Sequence, residues 1–225
     1  VIPNSDRRGY QFGSGLVDRS HQRFIVDIPK NASSFILDWT HRSGGWHVHT
    51  LTDTHHHDTL QKVIVVLRDP VQRWLSGFAQ YACGWVLNGS RFFYTKHGPS
   101  EHFQRRTGKE FVEQYDWLTE RLIFDNLETF DDHVWPQTWF LKDLLPEIPR
   151  RYFMLDDGFD VVFADYLGLT APAADLDRNQ GDRNEDARVI QQFLRQRIQA
   201  VPELRAAITE AYRHDYELID CVKCQ

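Results

Sequence analysis

Two stretches of the chain combine residue types that can hold an anion. In RFIVDIPKNASS, Arg23 to Ser34, an apolar run of Phe24, Ile25, Val26 and Ile28 is followed by Lys30 and the small residues Asn31, Ala32, Ser33 and Ser34. Phe35, Ile36, Leu37 and Trp39 come next at helical spacing. A strand, a small-residue loop with a lysine and a helix start bring together unpaired N–H groups, the positive end of a helix dipole, two hydroxyls and an ammonium. That set suits phosphate or sulfate. The second stretch, RDPVQRWLS, starts at Arg68 and follows the apolar run KVIVVL, Lys62 to Leu67. A guanidinium fork can grip a phosphate with two parallel hydrogen bonds, and Ser76 adds a donor. An ordinary strand-to-helix connection, or an Arg68–Asp69 pair, would fit the same residues.

These side chains need a scaffold of alternating strands and helices. The runs at 24–28 and 62–67 have the length and β-branched content of buried parallel strands, and RYFML, 151–155, reads as a further strand. Asp69 suits an N-cap and Pro70 a first helical turn, with Val71, Trp74, Leu75 and Phe78 on one helix face. Helical spacing recurs from Glu110 to Leu122, in FDVVFADYLGL and in the last segment, AYRHDYELI. WHVHTL alternates as a strand that puts Trp46, Val48 and Thr50 on one side and His47 and His49 on the other. The pattern predicts an α/β domain in three layers around a central parallel sheet, with its ligand at the carboxyl ends of the strands. Residues 1–22 lack periodicity and read as an irregular arm, leaving 23–225 as a single domain.

Composition narrows the partners. A formal charge of -6 argues against a general nucleic-acid binder. No apolar run reaches the length of a membrane span, and no signal peptide is legible, although the start at Val1 without Met leaves room for a preceding segment. Asn31 and Asn88 open glycosylation sequons, and a glycan on Asn31 would block the proposed anion loop, which favours a cytoplasmic setting. Cys83, Cys221 and Cys224 make no disulfide framework, and CVKC is at best half of a zinc ribbon.

The histidines of DTHHHD, His55, His56 and His57, invite a metal reading. Adjacent loop residues splay apart, whereas a zinc site needs ligands pinned on two elements, so no metal is expected. A metal-dependent hydrolase built on this cluster is nevertheless the rival enzyme reading; a non-catalytic nucleotide-binding protein is the rival from another class.

The glycine pattern of an ATP- or GTP-binding Walker loop is absent. Instead, IPKNASSF resembles the 5′-phosphosulfate loop of sulfotransferases that use 3′-phosphoadenosine 5′-phosphosulfate (PAPS), especially their carbohydrate branch. RDPVQRWLS resembles the 3′-phosphate motif of the same family, R-[DN]-P-x-x-R-x-x-S. His133, Pro136 and Gln137 match an H-x-x-P-Q segment, and the last helix resembles a terminal Y-x-x-D-[FY] helix. The resemblance implies a P-loop-type sulfotransferase fold and transfer of a sulfuryl group from PAPS to a hydroxyl acceptor, small molecule or glycan. It implies Lys30 at the departing phosphate oxygen and the backbone of Asn31, Ala32, Ser33 and Ser34 around the 5′-phosphosulfate. Arg68, Ser76 and Arg73 would hold the 3′-phosphate, joined by Arg178, Asn179 and Arg183 from a late basic loop. WHV resembles the step carrying the catalytic histidine of uronyl 2-O-sulfotransferases, so His47 is the expected base, then His49, then His133.

Overall fold

The computed structural model describes residues 13–50, 59–88, 107–114, 124, 132–142, 144, 147–156, 158–170, 172 and 184–224. The chain divides into two compact units. One comprises Gln11–Asp69, Gln137–Arg178 and Ile219–Gln225, and the other Val1–Tyr10, Pro70–Pro136 and Asn179–Leu218.

The first unit carries a five-stranded sheet: β1 (Ser14–Asp18), β2 (Arg23–Val26), β3 (Trp46–Thr50), β4 (Lys62–Leu67) and β5 (Arg150–Met154). Their spatial order is β3-β1-β2-β4-β5. β2 pairs parallel with β4 and β4 with β5, while β1 runs antiparallel to both β2 and β3. The α/β class read from the sequence stands, but the sheet is mixed where an all-parallel one was expected. The difference lies in residues 14–18. Expected to be part of an irregular arm, they form a strand whose Leu16 and Val17 are buried. Gly15 has no room for a side chain, since a Cβ there would meet the Ile25 carbonyl oxygen at 2.1 Å.

With β1 antiparallel to both neighbours, β3 runs the same way as β2 and β4. Their carboxyl ends therefore share one edge of the sheet. Leu16, Ile25, Ile64, Val66 and Phe153 on one face pack against Phe35, Ile36 and Trp39 of α1 (Ser33–Ser43), and against Phe159, Phe163 and Leu167 of a later helix, Phe159–Leu167. From the opposite face Phe24, Val63, Val65 and Leu67 are buried as completely, which explains why these strands read as unbroken apolar runs. A salt bridge pins the β1–β2 turn: Arg23 Nε lies 2.8 Å from Asp18 Oδ2, and the guanidinium stacks over Trp46 at 5.2 Å.

The second unit holds helices Pro70–Asn88, Gly108–Gln114, Glu185–Ala200 and Pro202–Ala211, with a short 3₁₀ turn at Asp132–Val134. Trp74 stacks on Phe78 at 5.5 Å, and Phe78 meets Phe111 at 6.3 Å. Gly77 lets the 3₁₀ turn approach, as a Cβ there would meet the His133 carbonyl oxygen at 2.1 Å. No described helix is long and apolar enough to cross a membrane.

Candidate functional site

The site is built on the loop from Asp27 to Ala32 between β2 and α1. The Asn31 N–H donates to the Ile28 carbonyl at 3.1 Å, closing a turn with Pro29 second and Lys30 third. Lys30 has φ +70°, the left-handed third position of a type II turn that usually falls to glycine. Ala32, the N-cap of α1, is also left-handed at φ +61°. A side chain in this conformation costs roughly 1–2 kcal/mol, so the loop holds Lys30 and Ala32 against local preference. Such outliers cluster at ligand sites.

The helix that follows is arranged to receive negative charge. Its N-cap makes no side-chain hydrogen bond, its first turn has no acidic residue, and its last turn carries His41 and Arg42. Ile36 N–H donates to the Ala32 carbonyl at 2.8 Å. Among the described residues the N–H groups of Ala32, Ser33, Ser34 and Phe35 have no acceptor. Four convergent donors beside a dipole terminus and Lys30 fit a phosphate or sulfate group. A cavity of about 140 Å³ opens here, lined by Asp27, Asn31, Ser33, Ser34, Leu37 and Val48 among others. It is well below the roughly 300 Å³ at which sites for whole small molecules begin.

Asn31 plays a different part from the one its place in the loop implied. It is 2 % exposed, its N–H closes the turn, and its Nδ2 donates to the Val66 carbonyl at 2.7 Å and to Gln137 Oε1 at 2.6 Å. Its donors are thus spent on the protein. The burial of Nδ2, the atom a glycan would occupy, also removes the sequon as a guide to compartment in the folded chain.

Arg68, at the end of β4, is half-buried and donates through Nη1 to the Lys30 carbonyl at 3.0 Å. The first unit therefore brings Lys30, Asn31, Ser33, Ser34 and Arg68 together with Gln137. Arg73 and Ser76 belong to the second unit. There Arg73 is 1 % exposed and donates to the Trp135 carbonyl and, at 3.3 Å, to the Asp132 carbonyl. Those bonds make it a brace for the 132–135 turn. Tyr212 donates its hydroxyl to the Val134 carbonyl; burial pushes its pKa far up, with the Arg73 charge opposing and the Asp215 charge adding. Ser76 is half-buried. Arg178, Asn179 and Arg183 lie outside the described residues, as do His55, His56 and His57.

Two of the candidate bases stand on β3. His47 pairs with Val17, which faces Phe24, whereas His49 pairs with Gly15, which faces Val26. His49 is thus two residues, about 6.6 Å, nearer the edge that carries the anion loop. The exposed ring of His47 meets His21 edge-on at 5.2 Å. His133 Nδ1 lies 3.0 Å from Asp132 Oδ1 within its own 3₁₀ turn. Among the described residues no group of three or more His, Cys, Asp or Glu is placed to hold a metal ion. Cys221 and Cys224 are exposed free thiols, while burial, together with the Asp186 charge, pushes the Cys83 thiol up to about 12.

Sequence reasoning passed over the importance of Gln137. It is fully buried, and its amide binds both Arg68 and Asn31. The H-x-x-P-Q pattern was the available signal. No curated protein and no solved structure matches the chain. The family model described as "Sulfotransferase family" matches residues 13–220.

Proposed function

The chain belongs to the sulfotransferase family, and from that premise we propose that it transfers the sulfuryl group of PAPS to a carbohydrate hydroxyl with a histidine as base. The observation that carries the donor assignment is the row of acceptor-less N–H groups from Ala32 to Phe35 beside Lys30. When bound, PAPS supplies a sulfuryl group on a phosphate leaving group: the acceptor oxygen bonds to sulfur, the bond from sulfur to the 5′-phosphate oxygen breaks, and adenosine 3′,5′-bisphosphate departs.

The chain's own residues meet three needs of that reaction. Backbone N–H groups at the start of α1 hold the anionic oxygens, and Lys30 stabilises the negative charge that grows on the departing phosphate oxygen. Arg68 grips phosphate by charge-assisted hydrogen bonds. A neutral histidine takes the acceptor proton. We assign that role to His49 ahead of His47, because its cross-strand row, His49–Gly15–Val26, lies nearer the loop.

The test is incubation with PAPS labelled in the sulfuryl group and a panel of glycans and small hydroxyl compounds. Label on a glycan supports the full reading. Label only on phenols or steroids would keep the reaction and change the acceptor. Bisphosphate binding with no transfer to any acceptor would leave a non-catalytic nucleotide-binding protein.

A further inference from the structure

We infer that Gln137 is a positioning residue that fixes Lys30 and Arg68 relative to each other, an inference resting on the sulfuryl-transfer reading only for what those two cations bind. Gln137 is 0 % exposed, so it acts through its neighbours and does not touch a ligand. Its Oε1 accepts the Arg68 N–H at 2.9 Å, and its Nε2 donates to the Arg68 carbonyl at 2.9 Å. This is how an adjacent strand would bind that residue. On the side of β4 that faces β2, strand pairing ends at Ile25 opposite Ile64, and beyond it the side chains of Asn31 and Gln137 bind the backbone of Val66 and Arg68.

The remaining bonds close a ring. Gln137 Oε1 also accepts from Asn31 Nδ2 at 2.6 Å, Asn31 is joined to Lys30 by a peptide bond, and the Lys30 carbonyl accepts from Arg68 Nη1 at 3.0 Å. A further bond from Asn31 Nδ2 to the Val66 carbonyl, 2.7 Å, ties the ring to β4. Because Asn31 and Gln137 are buried, a bond lost here is not replaced by water. The ring accounts for the left-handed Lys30: its carbonyl and the next side chain are both anchored, so the turn cannot relax to an easier φ. Two residues far apart in sequence thereby present their charges from one fixed frame, as a site must when the ligand's charges are fixed.

Hydrogen exchange and nucleotide binding on the full chain test this together. Gln137→Met keeps the length of the side chain and removes its hydrogen bonds. It should speed exchange of the Arg68 amide by about tenfold or more and leave the Val65 amide, in the middle of β4, unchanged. Affinity for adenosine 3′,5′-bisphosphate should fall by about tenfold, and Gln137→Met combined with Arg68→Ala should bind no more weakly than Arg68→Ala alone. A residue that merely supported the fold would speed exchange throughout β4, and the two affinity losses would multiply; that result overturns the inference. Gln137→Glu keeps the acceptor of the Arg68 N–H and loses the donor to the Arg68 carbonyl, so if Gln137→Met fails to fold it carries the affinity comparison and not the exchange one. If the wild-type chain does not bind the bisphosphate, the nucleotide reading falls and the Arg68 exchange rate decides alone: faster exchange supports positioning, unchanged exchange overturns it.

Discussion

The Arg68 guanidinium donates to the backbone carbonyl of Lys30 at 3.0 Å, across a sequence separation of 38 residues. Each residue follows a strand of the parallel trio, and the parallel pairing of β2 with β4 is what lets them meet. The contact holds the charge proposed to grip phosphate beside the residue proposed to meet the leaving oxygen.

That arrangement predicts selectivity among nucleotides. Adenosine 3′,5′-bisphosphate should raise the melting temperature, since a ligand bound only by the native state stabilises it by mass action. AMP, with one phosphate, should raise it less. In Arg68→Ala the bisphosphate should bind about one to two decades more weakly, the effect of losing charge-assisted hydrogen bonds worth roughly 1.5–3 kcal/mol. Identical shifts from the two nucleotides in wild type would remove the 3′-phosphate assignment.

Lys30 allows charge and backbone strain to be separated. Lys30→Ala and Lys30→Gly both remove the ammonium, and both should lower kcat far more than they weaken bisphosphate binding. Only glycine takes a φ of +70° without penalty, so melting curves should show the glycine variant the more stable by about 1 kcal/mol. A KM effect with kcat unchanged in both variants would place Lys30 in ground-state binding and not at the transition state.

How much of this was legible in the sequence depends on the reach of each signal. β4 and α1 announce themselves through residues that are neighbours in the chain: KVIVVL is apolar because both faces of its strand are buried, and Phe35, Ile36 and Trp39 repeat at helical spacing because one face of α1 meets the sheet. Strand β1 was missed because SGLVD is short and begins with Ser and Gly. Its glycine is required by close approach to Ile25 and not by a turn. Lys30 and Arg68 could be picked out as chemical residues, but their contact depends on strand pairing. The work of Gln137 was hidden for the same reason: its partners Asn31 and Arg68 lie 106 and 69 residues away. The motif spacing of Arg73 fits a phosphate ligand and a buried brace alike, and its 1 % exposure and carbonyl partners are set by packing that the spacing does not report.

Register along β3 gives the third prediction. His49→Ala should lower kcat/KM by about 10²–10⁴-fold, the usual effect of removing a general base, with bisphosphate affinity retained. His47→Ala should cost less, as its row lies further from the loop. A larger loss in His47→Ala than in His49→Ala would return the role to His47 and keep the reaction.

Asp18 and Arg23 give a prediction about stability. Asp18 is 5 % exposed, and burial alone pushes its carboxyl up. The Arg23 side chain, 2.8 Å away, and the N–H groups of Arg23 and Gln22 outweigh burial and hold it below the ordinary value of 3.8. A carboxyl whose folded pKa is lowered contributes stability that is fully present above its unfolded pKa and is lost as pH falls through the lowered folded pKa. Asp18→Asn should therefore destabilise the chain by about 1.5–3 kcal/mol at pH 7, with a difference from wild type that shrinks once the solution is acidified below pH ~4. Arg23→Gln should act in the other direction on the titration itself, raising the Asp18 pKa because burial then opposes the backbone donors with no guanidinium to help them. Denaturant midpoints measured from pH 7 down to pH ~3 read the first effect, and carboxyl chemical shifts read the second. A deficit in Asp18→Asn that stayed constant across that range would mean that the turn loses packing and not a charge pair.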